Sequence, residues 1–254
     1  MGKKGKKKQK NLKKVKENKI MTKKKLMMAG LSAGLVAVVG IGGTLAYLSD
    51  KSEVVTNTFT VGTGYIPGDD KNQAVKIDEV DVTKNDGSRT DHNDYKDLLP
   101  GDELTKDPTV YLTGGSVKSY VFVKLDGVDA LEGITAKDEE GKEVQAFAVD
   151  GWGEAYWTKV KETDGTPATR TDGDGIYVAN AGNVVDVTEK EKAKYITLGT
   201  PLFTTVHFNS TLAELPDENP LPKVHVAACA VQYSEDQMNS WEDAIDSATF
   251  NEAK

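Results

Sequence analysis

Apolar positions in this chain alternate with polar ones over most of its length, the period of β-strands with one buried face. Val54 to Val61 sets Val55, Phe59 and Val61 against Thr56, Thr58 and Thr60. Ala74 to Val82 alternates with a slip: Val75 and Ile77 share one parity, Val80 and Val82 the other. One extra residue near Asp78-Glu79, a bulge, would return all four to one side. Thr109 to Leu112 predicts another strand. Ser119 to Leu125 is apolar on both parities, with Val121, Val123 and Leu125 on one and Tyr120 and Phe122 on the other. That pattern predicts a strand covered on both faces. Val144 to Val149, Ala155 to Val160 and Ile176 to Val178 are further short strands. Pro201 to Phe208 sets Leu202, Val206 and Phe208 against Phe203 and His207. Val224 to Tyr233 is the longest mostly apolar strand.

Turn chemistry separates these runs, as in Asn85-Asp86-Gly87, Leu98-Leu99-Pro100-Gly101-Asp102 and Gly114-Gly115. Only the end reads as helix: Ser234 with Gln237 forms a capping box, and Met238, Trp241 and Ile245 fall on one face. Many short strands with one terminal helix predict an all-β fold, an antiparallel β-sandwich with a short C-terminal helix.

One stretch breaks the alternation. Leu26 to Ala46 runs 21 residues without a charge, directly after Lys23-Lys24-Lys25. A basic n-region (1–25), an apolar h-region (26–46) and a small-residue end at Thr44-Leu45-Ala46 are the parts of an export signal, entering the bilayer as a helix. Cleavage between Ala46 and Tyr47 is expected, leaving an exported domain of residues 47–254 that begins with an arm, 47–61. The alternative is an uncleaved anchor, since 21 helical residues span roughly 30 Å; five glycines dilute the run against it. Gly30-Leu31-Ser32-Ala33-Gly34 matches the G-x-S-x-G hydrolase pattern, but that motif needs a strand-turn-helix setting. It is discarded as a nucleophile.

Charge divides the chain at the same place. Residues 1–25 carry 13 Lys and one Glu, whereas residues 47–254 carry 19 basic and 39 acidic residues, a net −20. The lysine run is read as membrane orientation, and the acidic domain argues against binding nucleic acid or anionic lipid. Contact with a membrane is expected only through the signal segment. The single cysteine, Cys229, lies in a small apolar run and reads as a buried hydrophobe; no internal disulfide can form.

Candidate chemistry is sparse. His92, His207 and His225 are the only histidines and no H-E-x-x-H occurs. His207 and His225 lie in predicted strands that could meet on one sheet, but a strand residue is the favoured reading over a zinc ligand. Asp172-Gly173-Asp174-Gly175 is half of a calcium-loop pattern and lacks the distal Glu; it reads as a hairpin turn. Asn209-Ser210-Thr211 matches a glycosylation sequon of the kind that occurs by chance. Asp138-Glu139-Glu140 and the pair Glu189 and Glu191 read as solvated faces. The residues therefore name no catalytic, cofactor or metal site, and no enzyme is expected.

Lys23-Lys24-Lys25, the glycine-rich apolar run, Gly43 to Asp50 and Asn57-Thr58-Phe59-Thr60-Val61-Gly62 resemble the TasA/camelysin family of SipW-dependent exported proteins. Pro100-Gly101-Asp102, Tyr120 to Lys124, Asp174 to Tyr177, Thr200 to Phe203, Ala228 to Gln232 and Trp241 to Ile245 are similar too. The resemblance implies a jelly-roll sandwich, export through the Sec translocon, cleavage by a dedicated signal peptidase, and an extracellular or cell-surface location; an exported domain with one cysteine fits a Gram-positive surface. It also implies biofilm-matrix fibres built by self-association, an N-terminal strand of one subunit completing a neighbour's sheet. Val54, Val55, Phe59 and Val61 are the expected donor positions. Folding of the same arm onto its own domain's edge is the competing expectation. Two other functions stay open: a camelysin-like surface metalloendopeptidase, and a monomeric adhesin tethered by an uncleaved signal.

Overall fold

A computed structural model describes the backbone of residues 49–51 and the whole of residues 64–69, 73–84, 86–217 and 220–251. These belong to the second of two units of the chain, Tyr47–Lys254. The segment 26–46, the junction Ala46/Tyr47 and the arm positions Val54, Val55, Phe59 and Val61 lie outside the described residues.

Among the described residues, fourteen strands and two short α-helices follow in order: β1 (Ser49–Lys51), β2 (Val75–Val80), β3 (Arg89–Thr90), β4 (Glu103–Thr105), β5 (Thr109–Thr113), β6 (Ser119–Asp126), α1 (Val128–Glu132), β7 (Thr135–Lys137), β8 (Glu143–Gln145), β9 (Phe147–Asp150), β10 (Trp157–Lys161), β11 (Gly175–Ala179), β12 (Tyr195–Thr197), β13 (Thr205–Phe208), β14 (His225–Gln232) and α2 (Trp241–Ile245). A five-stranded sheet runs β1-β14-β6-β11-β10, a four-stranded one β12-β5-β2-β3 and a three-stranded one β4-β13-β9; β7 and β8 form a hairpin. All pairings are antiparallel. The fold is the all-β sandwich with a short C-terminal helix that the pattern predicts.

Strand β6 explains the layering. Val121, Val123 and Leu125 enter the main core with Val75, Val110 and Leu112 of the four-stranded sheet and Phe147, Val206 and Phe208 of the three-stranded one. Tyr120 and Phe122, of opposite parity, enter a second cluster with Cys229, Val231, Ala244 and Ile245, so α2 roofs the outer face. Both faces of β6 are covered, as its double apolar pattern requires. The alanines of β14 let these layers approach; Ala228, Cys229, Ala230 and Val231 are fully buried.

Several expected elements differ. No bulge occurs at Asp78-Glu79: β2 pairs in unbroken register with β5 from Val75↔Leu112 to Asp78↔Thr109, then hands over to β3 at Glu79↔Thr90. The hydrophobic slip has another cause. Asp78, Glu79 and Asp81 are themselves buried, while Val82 is exposed. The run Val144 to Val149 is two strands in different sheets, β8 and β9. Only Thr205–Phe208 of the Pro201 stretch is strand, because Leu202 and Phe203 are both buried and break the alternation. The capping serine is Ser240, which accepts a hydrogen bond from Asp243 N–H. Ser234 instead closes a turn with Met238, whose N–H donates to the Ser234 carbonyl at 2.8 Å.

Candidate strand-acceptor edge and groove

The two borders of the five-stranded sheet are built differently. On its inner side β14 pairs with β6 along all eight residues, from His225↔Asp126 to Gln232↔Ser119. On its outer side β1 supplies only three partners, Ser49↔Val231, Asp50↔Ala230 and Lys51↔Cys229. At His225 to Ala227 the neighbouring strand among the described residues is β6. The sequence of β14 has no proline and no buried charge, so nothing in it obstructs pairing on its outer side.

The opposite border, β10, is blunted three ways. Its register shifts between Lys159 and Lys161. Chain beyond it turns back on it, with Glu162 N–H donating to the Thr166 carbonyl at 2.8 Å and Ala168 N–H to the Val160 carbonyl at 3.2 Å. Lys159 points inward with a fully buried side chain, 2.6 Å from Glu162 and donating to the Asp172 carbonyl at 2.9 Å. An inward charge, a bulge and a covering loop are the devices by which sheet edges resist pairing.

A groove of about 770 Å³ adjoins the His225 end of β14. Ile77, Leu98, Leu104, Phe147, Val206 and Val226 line it, together with Pro220 to Pro222 and the loop Asp91 to Tyr95. The flanking loop is pinned at two points. Asn93 donates to the Val80 carbonyl at 2.7 Å and accepts from Val82 N–H at 3.1 Å, and the Tyr95 hydroxyl donates to the Thr105 carbonyl. Burial pushes the Tyr95 hydroxyl up, so it stays a donor at any physiological pH.

The carboxylates beneath are neutralised internally. Glu79 meets Lys106 at 2.9 Å, and Asp78 meets Lys76 at 3.1 Å. Arg89 donates to the Asp78 carboxylate and carbonyl, the Asp107 carboxylate at 2.8 Å and the Thr109 hydroxyl at 2.8 Å. The groove thus offers an apolar floor flanked by paired charges.

The histidines do not converge. His207 lies on β13 and His225 on β14, strands of different sheets; the expectation that they could share one sheet is corrected. His207 sits between Asp150 at 3.2 Å and Glu103 at 3.5 Å. His92 pairs with Asp91 at 3.0 Å, which raises its pKa. Among the described residues no group of three or more His, Cys, Asp or Glu side chains is placed to hold a metal ion. Asp174 of the calcium-like stretch instead accepts Gly127 N–H at 3.0 Å and Val128 N–H at 2.7 Å, anchoring the start of α1. Gly127 has φ 98°, and a β-carbon there would collide with the Lys223 carbonyl. Asn209 of the sequon spends its side chain on the Gln145 carbonyl, Thr211 N–H and the Thr211 hydroxyl, each at 2.9 Å.

Cys229 is fully buried, as its setting suggests. Sequence reasoning missed the inward Lys159 and the Arg89 network. The first left a trace: Lys159 shares the parity of the buried Trp157 in a run otherwise read as a plain strand. Comparison with protein-family models, curated proteins and solved structures finds no match to this chain.

Proposed function

We propose that this chain is an exported structural protein of the cell surface or extracellular matrix, whose copies assemble into fibres by adding an N-terminal strand of one to the β14 edge of the next. The observation that carries this reading is the asymmetry of the five-stranded sheet. One border, β10, is guarded by Lys159, a register shift and a fold-back loop, whereas the other takes an N-terminal strand, β1, onto β14 beside an apolar groove. A sheet with a single receptive edge favours head-to-tail addition, a heterologous contact that need not close and can propagate. The resemblance to the TasA/camelysin family supports the same reading, with Val54, Val55, Phe59 and Val61 as side chains of the donated arm, secretion by the Sec translocon and removal of the signal between Ala46 and Tyr47 by a dedicated signal peptidase.

Electron microscopy of residues 47–254 beside residues 62–254 tests this. Filaments from the first and none from the second are expected. Monomers from both, well folded across salt and pH, would remove the basis of the fibre reading.

A further inference from the structure

We infer that the C-terminal segment, residues 234–251, is a hinged cover over an apolar sheet face, and that two copies of this chain can exchange it. Such an exchange uses a face of the five-stranded sheet and is separate from strand addition at its border.

What lies beneath the segment is apolar. Tyr120 and Phe122 of β6, Val178 of β11, and Cys229 and Val231 of β14 form the sheet side of the outer cluster; Met238, Ala244 and Ile245 form the cover side. Trp241 has a seat of its own. Gly182 stands at φ 79°, and a β-carbon there would collide with the indole.

The hold on the segment is slight by comparison. Among the described residues, the main-chain hydrogen bonds of 234–248 close within the segment. Met238 N–H donates to the Ser234 carbonyl at 2.8 Å, Ala244 N–H to Ser240 at 3.3 Å and Ala248 N–H to Ile245 at 3.1 Å. Just before it, Tyr233 N–H still donates to the Lys118 carbonyl at 2.8 Å, which places the hinge between Tyr233 and Ser234. Beyond that point the Tyr120 hydroxyl donates to the Asn239 carbonyl at 2.7 Å, and Lys161 meets the exposed Asp246 at 3.1 Å. An ion pair in that setting contributes little. Helix α2 has five residues, too few to persist off the sheet. Lifting the cover therefore melts α2, bares the outer face and leaves the strands paired over the inner core, a local opening short of global unfolding. The bared face is complementary to the same segment of a second copy. An exchanged cover makes identical contacts, so closing on oneself and sharing covers differ little in contact energy.

Cross-linking between marked chains tests this. In the Tyr47–Lys254 unit with Cys229→Ala, Lys161→Cys and Asp246→Cys are made separately and together. The two native side chains meet, so a short bis-maleimide bridges these positions wherever a cover is seated. The double variant, dilute, is expected to link within one chain. The two single variants, mixed at high concentration, warmed gently and cooled, are expected to give the 161–246 product between chains well above either like-with-like product. Amide exchange on the unsubstituted unit supplies a second readout: amides of α2 are expected to exchange at least about tenfold faster than those of β6. Failure of the folded double variant to link overturns the seated cover. Like-with-like products as abundant as the 161–246 product, or no product between chains, overturn the exchange. Equal protection of α2 and β6 overturns the hinge and, with it, the exchange.

Discussion

The Lys159 ammonium lies 2.6 Å from a Glu162 carboxylate oxygen; the lysine side chain is wholly buried, whereas the glutamate keeps 21% of its surface in water. The contact that satisfies this buried charge thus reaches it from the protein's rim. Glu162→Ala leaves the ammonium with the Asp172 carbonyl as its acceptor, and the expected fall in melting temperature is about 5 °C or more. Lys159→Val removes the inward charge from β10 instead. That variant is expected to stay folded and to self-associate weakly through β10, where the register shift and the fold-back loop remain as guards, seen as concentration-dependent growth in light scattering.

Arg89 ties three elements with one planar group. Its donors reach Asp78, Asp107 and Thr109 at once, holding the two-residue strand β3 to β2 and to the start of β5. Lysine carries the charge but not the fork. Arg89→Lys is therefore expected to destabilise by about 2–3 kcal/mol in urea unfolding, leaving buried acceptors unpaired. A loss no larger than that of an exposed substitution would show the network to be replaceable.

Acid should weaken the domain through three identifiable carboxylates. Lys84 and Thr83 hold Asp81 down to about 2, Lys159 and Thr169 hold Glu162 to about 2, and Thr188 with Lys118 holds Asp186 to about 2. A group depressed in the folded state contributes stability above its ordinary value, here 3.8 for the aspartates and 4.5 for the glutamate. That contribution is lost as pH falls from there towards 2. Thermal melts between pH 5 and 2 are expected to show this decline, with a shallower slope in Asp186→Asn.

Glu132 behaves in the opposite sense. Burial raises its pKa against the Val149 N–H that it accepts at 2.8 Å. Such a group contributes most below its ordinary pKa, and the contribution disappears as pH rises through the raised value. Glutamine keeps an acceptor for Val149 and carries no charge. Glu132→Gln is expected to raise the melting temperature by about a degree or two at pH 7 and to change it little at pH 3. A marked loss at pH 7 would mean that the carboxylate's charge is needed there.

How far these features could be read from residues alone depends on the scale of the signal. β6 and β14 were legible because their apolar parity is set by two cores, and β5 because Val110 and Leu112 share one. The slip at Asp78-Glu79 misled, since inward carboxylates satisfied by Arg89 and Lys106 look, in a string of letters, like a strand changing face. β3, β4, β7 and β12 hold two or three residues each, too few for a period to register. The candidate edge could be suspected from the arm's composition. Its location on β14, and the blocking of β10, required knowing which strands lie outermost, and nothing in local pattern encodes that.

The pairing of β1 with β14 joins the first and last described strands of the sandwich. A chain that emerges N-terminus first, through a ribosome or a membrane pore, brings out β1 long before its partner exists. Such a long-range contact forms late and slowly. Throughout that interval the N-terminal segment has no place of its own in the sheet, and the border it forms is closed only when the last strand has emerged.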